Sequence, residues 1–291
     1  MRSLKDILKE YILDDIDTQI KKGDNAIKAE IKEFLKVNYK GAFKISKTPN
    51  SDGLYEVSST KSVSLRPVGR STITSLTNGT FVWTVIDGYF ECNSSHITSL
   101  EDAPQIVHGD FDCSYCRSLE SLKGAPEKVG GDFICNGCYN LKSLKGIQKE
   151  IKKSFHCTQC PSLKSLEGAP EKVGGEFYCY LNKSLKSLEG APKEVGHSLY
   201  CYMCPSLKSL EGAPEKVGGV FDCSRCESLE SLKGAPKEIG GAFNFYSCTS
   251  LETLEGAPKE IGGYIQCWGC KTKFTEDDIK KVSNVKGEIN C

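Results

Sequence analysis

The sequence predicts an α+β repeat solenoid, in which short coils stack a parallel β-sheet behind an N-terminal helical hairpin. A 22-residue unit, best seen at residues 207–228, recurs along the chain with a fixed step. Within this unit Phe221 and Cys223 alternate with Asp222, which is typical of a very short strand. Residues before about 40 instead carry apolar side chains at helical spacing.

The repeat register is set by one strand position in each coil. From residue 113 to residue 267 every step is 22 residues, with a step of 21 before and one of 24 after. The equivalent positions are Cys92, Cys113, Cys135, Cys157, Cys179, Cys201, Cys223, Phe245, Cys267 and Cys291. A fixed short period is the signature of a solenoid.

Each coil must turn sharply between its apolar positions. Pro214 stiffens one bend, and Gly218 with Gly219 is expected to supply positive φ just before Phe221. Equivalent strands of neighbouring coils are then expected to stack in parallel, ~4.8 Å apart, into one sheet. The apolar positions of the unit are Leu207, Leu210, Val217, Phe221, Cys223 and Cys226.

The pattern Phe221-x-Cys223-x-x-Cys226-x-x-Leu229-x-x-Leu232 resembles a short leucine-rich repeat, and the recurring phrase SLxSLxGAPxxVGG is similar to leucine-rich repeat proteins of bacteriophages and bacteria. The resemblance covers roughly residues 79–291. It implies that Cys226 occupies a ladder position where the family places Asn or Cys. Asn182 stands at that position one repeat after Cys160.

The N-terminal residues 1–40 are predicted to form the helical hairpin. Its first helix, over residues 3–21, is expected to end at Lys21-Lys22-Gly23, and Asp24 to cap a second helix reaching about Tyr39. The hairpin is either a folded end-piece or a docking module that lets the chain self-associate. The apolar residues of the two helices are Leu4, Ile7, Leu8, Tyr11, Ile12, Ile16, Ile20, Ile27, Ile31, Phe34 and Leu35.

The hairpin is followed by a predicted region of irregular β capping coils at residues 41–78. The repeat solenoid then spans residues 79–291, with a C-terminal cap from about residue 271. In that cap Thr275 is a good N-cap for a short helix, Asp278 completes a capping box, and Phe274 with Ile279 forms a hydrophobic staple. A final strand at Ile289-x-Cys291 is expected to close the array.

Composition excludes several classes of function. Lys plus Arg and Asp plus Glu are both 38, so the net charge is zero and no basic stripe favours nucleic acid. The sequence has no run of 18 apolar residues, so it predicts no membrane span. The N-terminus is charged and lacks the apolar core of a signal peptide, so the sequence predicts a cytoplasmic protein of a bacterial or phage-infected cell. Its 16 cysteines should then be mostly reduced.

The cysteines are interpreted as core thiols. The spacing from Cys113 to Cys138 matches a zinc ribbon, yet the repeat period alone generates it. Phe245, Ser95 and Asn182 replace cysteines at equivalent positions, and a phenylalanine cannot bind metal. The thiols are therefore expected to be free, buried and metal-free, with no cofactor. A metal site and a disulfide or redox function are the alternatives.

The informative positions are those that vary while the frame repeats. Outward strand positions carry two aromatic groups, and near the N-terminal coils an acidic patch. The predicted binding residues are the block Tyr178, Tyr180, Tyr200 and Tyr202, with the second group Tyr246, Trp268 and Tyr264, the acids Asp110, Asp112 and Asp132, and His156, for which a solvated or packing role is the default. Tyrosine and tryptophan are enriched in binding hot spots, although tyrosine also suits strands for purely structural reasons.

These observations favour a non-catalytic protein that binds a protein partner through the outward face of the sheet. No phosphate loop, catalytic triad or helical His pair is present in the sequence. Glycan binding by the Tyr/Trp cluster is one alternative, and a metal or thiol-redox protein is another. The Lys and Glu residues of the AP-x-x-V turns, such as Glu215 and Lys216, are expected to form a solvated surface.

Overall fold

The computed structural model describes residues 23–65, 73–77 and 79–291, and these form a β-solenoid with a helix at its N-terminal side. Helix α1 covers residues 23–38, and helix α2 covers Glu276–Val282 near the C-terminal end. The predicted helix over residues 3–21 lies outside the described residues, so the hairpin stays a prediction. Gly23 and Asp24 are both helical, so the predictions that Gly23 ends a helix and that Asp24 is an N-cap are wrong.

The main sheet has 12 strands and runs through all the described coils. It is parallel except at its N-terminal edge, where β1 pairs antiparallel with β4. In order, its strands are β1 (Tyr39–Lys40), β4 (Val63–Leu65), β6 (Phe90–Glu91), β8 (Phe111–Asp112), β10 (Phe133–Ile134), β12 (Phe155–His156), β14 (Phe177–Tyr178), β16 (Leu199–Tyr200), β18 (Phe221–Asp222), β20 (Phe243–Asn244), β22 (Ile265–Gln266) and β24 (Ile289–Asn290). The predicted strand F-x-C and the predicted closing strand are confirmed.

The coils carry two further sheets, which the single predicted sheet did not include. The five-stranded sheet comprises β2 (Phe43–Ile45), β3 (Tyr55–Ser59), β5 (Phe81–Ile86), β7 (Ile106–Val107) and β9 (Lys128–Val129). The seven-stranded sheet comprises β11 (Glu150–Ile151), β13 (Lys172–Val173), β15 (Glu194–Val195), β17 (Lys216–Val217), β19 (Glu238–Ile239), β21 (Glu260–Ile261) and β23 (Asn284–Val285).

The core lies between the main sheet and these two sheets. Phenylalanines of successive main-sheet strands stack at the same register, as at Phe155 and Phe177, whose ring centroids are 5.8 Å apart. Strand cysteines, ladder cysteines and the leucines of the SLxSL segment are buried behind them. Because a single coil cannot cover its own apolar face, this continuous stack is what stabilises the array.

Paired glycines allow neighbouring coils to approach closely. Gly218 and Gly219 do not have positive φ, which corrects the expected reason for the Gly-Gly pair. A Cβ on Gly218 would instead lie 2.2 Å from the carbonyl oxygen of Gly196 in the preceding coil. Positive φ is found at the glycine of the GAP turn, as at Gly212 with φ +91°.

The sheet pairing outside the main sheet is interrupted at one coil, which also lacks the paired glycines. Lys152 stands where its neighbours in the 22-residue register, Gly130 and Gly174, would each place a Cβ within 2.3 Å of a carbonyl oxygen. In this coil β11 does not pair with β9, and the Gln148 side chain accepts the Val129 N–H at 3.1 Å instead. We call this junction between β9 and β11 the seam; the main sheet continues across it.

Aromatic and capping contacts stabilise both ends of the described array. At the N-terminal side Tyr39, at the end of α1, packs on Trp83 with ring centroids 5.2 Å apart, and both side chains donate to the Leu76 carbonyl. At the other side the capping box of α2 is confirmed: Thr275 accepts from the Asp278 amide, and Asp278 accepts from the Thr275 amide.

Candidate binding face

The outward face of the main sheet consists of three side-chain columns. In each coil they are the residue before the strand, the second strand residue and the residue after the strand cysteine. Because Phe221 and Cys223 point into the core, Asp222 between them points to the other face of the sheet. Ser224 follows in the same alternation, although its side chain is buried. Every predicted binding residue lies in these columns, on coils from β8 to β22.

The tyrosine block is a pair of ring stacks across β14 and β16. Tyr178 stacks on Tyr200 with ring centroids 5.1 Å apart and planes within 6°, and Tyr180 stacks on Tyr202 at 4.4 Å and 8°. All four rings are half-buried. The two rings of each stack therefore turn one face toward each other. Burial raises the pKa of Tyr202 to about 12.

The second aromatic group is partly assembled. Tyr246 stacks on Trp268 at 4.6 Å, and the Arg225 guanidinium lies 5.7 Å from the Tyr246 ring centroid, within cation–π range. The indole of Trp268 is 48 % exposed. Tyr264 is exposed as well, and among the described residues no ring contact joins it to the other two. The predicted group of three is thus a stacked pair with a separate tyrosine.

The three predicted acids are held by backbone amides. Asp110 Oδ1 accepts the N–H of Asp132, and Asp132 Oδ1 accepts the N–H of Ser154, so each carboxylate bonds the next coil. Asp112 Oδ1 accepts the N–H of Ser114 within its own coil. These acids therefore have a structural role that the sequence did not reveal, and Asp112 Oδ2 also accepts from the Asn93 side-chain amide at 3.2 Å.

A column of left-handed residues borders the face and was not predicted. The residue two positions after each strand cysteine has φ between 54° and 60° wherever it is not glycine. Those residues are Ser94, Tyr115, Gln159, Leu181, Met203, Arg225 and Ser247. Glycine at the equivalent Gly137 and Gly269 was the only sequence signal for this conformation. The turn exposes the Met203 side chain in a groove of about 490 Å³ that reaches Trp268.

The second cysteine of each pair forms the predicted ladder. Its Sγ donates to the carbonyl oxygen of the strand residue in the preceding coil, at 3.3 Å from Cys226 to Cys201. Asn182 makes the same contact to Cys157 O at 2.9 Å and also accepts the amide of Cys160 at 2.7 Å. The exchange of Asn and Cys at this position is thereby confirmed.

The chain has 14 free cysteines, and all but Cys270 are fully buried. Cys267 and Cys291 form a disulfide, so the prediction that every thiol is free is wrong for this pair. Their coils are adjacent in the main sheet, which brings the two Cα atoms to 4.6 Å, within the range a disulfide spans. Burial raises the pKa of Cys179 well above its usual value, and that of Cys204 to about 12. These two buried thiols are therefore poor nucleophiles at neutral pH.

The surface formed by the AP-x-x-V turns is covered by ion pairs between coils. Lys216 and Glu238 are 2.7 Å apart and Lys237 and Glu215 are 3.0 Å apart, and all four side chains are exposed. Each pair is expected to contribute little to stability. The prediction of a solvated, mixed-charge surface agrees with this arrangement.

Within the described ranges, no group of three His, Cys, Asp or Glu side chains could hold a metal ion. In the same part of the chain, no helix is long and apolar enough to cross a bilayer.

In comparisons with known proteins, no family model matches this chain, and no curated protein and no solved structure matches it either.

Proposed function

We propose that this chain is a non-catalytic interaction protein, which binds a protein partner through the outward face of its main sheet. The observation that carries the proposal is the half-exposed tyrosine block on a frame whose core residues repeat almost unchanged. The outward columns differ at nearly every step, as expected of a surface selected for one partner. Tyrosine and tryptophan provide large contact areas at low cost in conformational entropy.

The same proposal includes a leucine-rich type of repeat and a cytoplasmic location. The first is supported by buried leucines at the SLxSL positions and by a ladder in which Cys and Asn interchange. The cytoplasmic location is supported by the 14 free cysteines, because extracellular and secretory compartments are oxidising and favour disulfides.

Glycan binding is less favoured by the geometry of the rings. A sugar stacks on an open aromatic face, but Tyr178 with Tyr200 and Tyr180 with Tyr202 turn their faces toward one another. Hydroxyl groups and ring edges are better suited to hydrogen bonds with a polypeptide.

The proposal is tested by affinity capture from the native host with wild-type protein and with the variant Tyr178→Ala/Tyr200→Ala. The free energy of binding between the captured partner and the variant should be weaker by ~2–4 kcal/mol, since two hot-spot side chains are removed. The stability of the variant should fall less, because exposed cross-strand pairs contribute only ~0.2–1 kcal/mol each.

The matched control is Glu215→Ala/Glu238→Ala, which truncates two side chains of the ion-paired surface. It should retain the partner. If the partner bound the wild-type protein and a folded tyrosine variant with equal affinity, the outward face would not be the binding surface.

A further inference from the structure

The outward face lacks basic residues. Its three columns hold 29 residues between Tyr89 and Asn290, and none is Lys or Arg. With 38 Lys and Arg in 291 residues, about four would be expected by composition. The same columns contain seven acids: Glu91, Asp110, Asp112, Asp132, Glu176, Asp222 and Glu288. A chain without net charge therefore has one strongly acidic face.

The aspartates of this face are fixed in place but not neutralised. Asp112 and Asp222 each accept a backbone N–H two residues ahead, from Ser114 and Ser224. Among the described ion pairs, no Lys or Arg contacts Asp110, Asp112, Asp132 or Asp222. The glutamates of the opposite surface, by contrast, have lysine partners on neighbouring coils, as Glu238 has Lys216. Among the described residues, no Lys or Arg therefore offsets the charge of these four aspartates, and the imidazole of His156 lies 3.8 Å from Asp132.

Unused acceptors provide an independent sign of a donor-rich ligand. Four buried side-chain atoms of the described residues lack a hydrogen-bond partner, and two of them are amide oxygens on the outward face, Asn93 Oδ1 and Asn244 Oδ1. Asn244 is only 8 % exposed and lies beside Asp222 on the next strand, 3.5 Å from its carboxylate. A buried acceptor without a donor is costly, so its native partner is expected to donate.

These acceptors form two clusters with the tyrosine block between them. The N-terminal cluster comprises Asn93, Asp110, Asp112 and Asp132, and the C-terminal cluster comprises Asp222 and Asn244. From β8 to β18 there are five steps between strands, or ~24 Å at ~4.8 Å per step. An extended polypeptide spans that distance with about seven residues at ~3.3 Å each.

We propose that the partner of this face, on the proposed function above, is an extended polypeptide segment with Lys or Arg at both ends of an uncharged centre. Its cations lie on the two acceptor clusters, and its centre lies across the ring edges of the tyrosine block. Electrostatic complementarity of this kind sets partner choice and speeds association. A small cation would reach one cluster only, so the separation of the clusters selects a polypeptide.

The probe is a fluorescein-labelled nonapeptide, Arg-Arg-Ser-Leu-Ser-Leu-Ser-Arg-Arg, measured by fluorescence anisotropy at low salt. One control peptide has glutamate at the four arginine positions, and a second has the four arginines together at one end. The wild-type protein should bind the probe at least tenfold more tightly than the glutamate peptide, and several-fold more tightly than the clustered one. Equal binding of the three peptides overturns the proposal.

The protein variant is Asp112→Asn/Asp222→Asn, which keeps an amide oxygen to accept the N–H groups of Ser114 and Ser224. It should bind the probe about tenfold more weakly. The control Glu215→Gln/Glu238→Gln changes the net charge equally on the opposite surface and should bind as wild type. A similar loss in both variants would show a bulk charge effect and would overturn the proposal.

Two further outcomes separate this inference from the proposed function. Displacement of the probe by equimolar Mg²⁺, which can occupy only one cluster, would indicate a site for small cations and would contradict a polypeptide ligand. Binding of a captured partner could require Tyr178 and Tyr200 but not Asp112 and Asp222. The outward face would then bind protein, but the proposal of a basic partner segment would be wrong.

Discussion

The imidazole of His156 stacks on the phenol ring of Tyr178, with ring centroids 4.5 Å apart and planes inclined by 23°. It thereby extends the Tyr178–Tyr200 stack by one strand. Burial lowers the pKa of His156, and the nearby Asp132 carboxylate, 3.8 Å from Nε2, opposes this shift. His156 has a packing role, as the sequence suggested by default, and it also lies within the candidate binding face.

The lowered pKa of His156 makes stability depend on pH. Between its folded pKa and the unfolded value of ~6.5 the unfolded chain binds more protons, so stability is present above pH ~6.5 and is lost as pH falls through the folded pKa. Urea unfolding at pH 7.5 and pH 5 should show a smaller loss in His156→Gln than in the wild type. An equal loss in both proteins would mean that His156 does not titrate as inferred.

Replacing Gly218 by Ala should destabilise the solenoid by about 1–3 kcal/mol, because its Cβ would meet the Gly196 carbonyl at 2.2 Å. Gly53→Ala is the matched control, since Gly53 has φ +77° and open space around its Cβ position. Thermal unfolding of both variants distinguishes the effect of a clash with the neighbouring coil, in Gly218→Ala, from the effect of a positive φ, in Gly53→Ala. A smaller loss in Gly218→Ala than in Gly53→Ala would contradict the close-approach explanation.

Glycine at a left-handed position should stabilise the chain. Gln159 has φ 56°, a conformation that costs a residue with a side chain roughly 1–2 kcal/mol, so Gln159→Gly should raise the free energy of unfolding by about 1 kcal/mol. Ser206→Gly, in the same kind of turn but outside the positive-φ column, should give no gain. Denaturant midpoints of the two variants measure these changes in stability. A gain in stability in Ser206→Gly alone would contradict the explanation from positive φ.

The ladder position should tolerate Cys but not Ala in place of Asn182. Truncation to Ala leaves the Cys157 and Cys179 carbonyls and the Cys160 amide without the partners that Asn182 provides, each at a cost of about 1–3 kcal/mol. Asn182→Cys should lose less, because a thiol can still donate to the preceding coil, as Cys204 does at 3.5 Å. Similar denaturation curves for the two variants would show that the ladder bonds contribute little.

Features encoded within a single coil were predictable from the sequence. Phe221-x-Cys223 defines the strand by its period, Asn182 marks the ladder by its place in the register, and Thr275 with Asp278 defines the capping box. The tyrosine block also follows directly, because equivalent residues of parallel strands must lie side by side.

Features that depend on the distance between coils were not predictable. The Gly218 track is set by the approach of another backbone, and the structural bond of Asp110 goes to an amide one coil later. The register of Cys291 was predicted, but its disulfide with Cys267 depends on the 4.6 Å separation of the two Cα atoms. Sequence periodicity shows that coils stack, but it does not give these separations.

The seam determines how the array comes apart. In a linear repeat protein the stability is a sum over coils and the interfaces between nearest neighbours. At every other regular interface two sheets are hydrogen-bonded, whereas across the seam only the main sheet is. A boundary between folded and unfolded coils is therefore expected to cost the least free energy between residues 129 and 151, so the coils on either side of the seam should unfold as separate cooperative blocks.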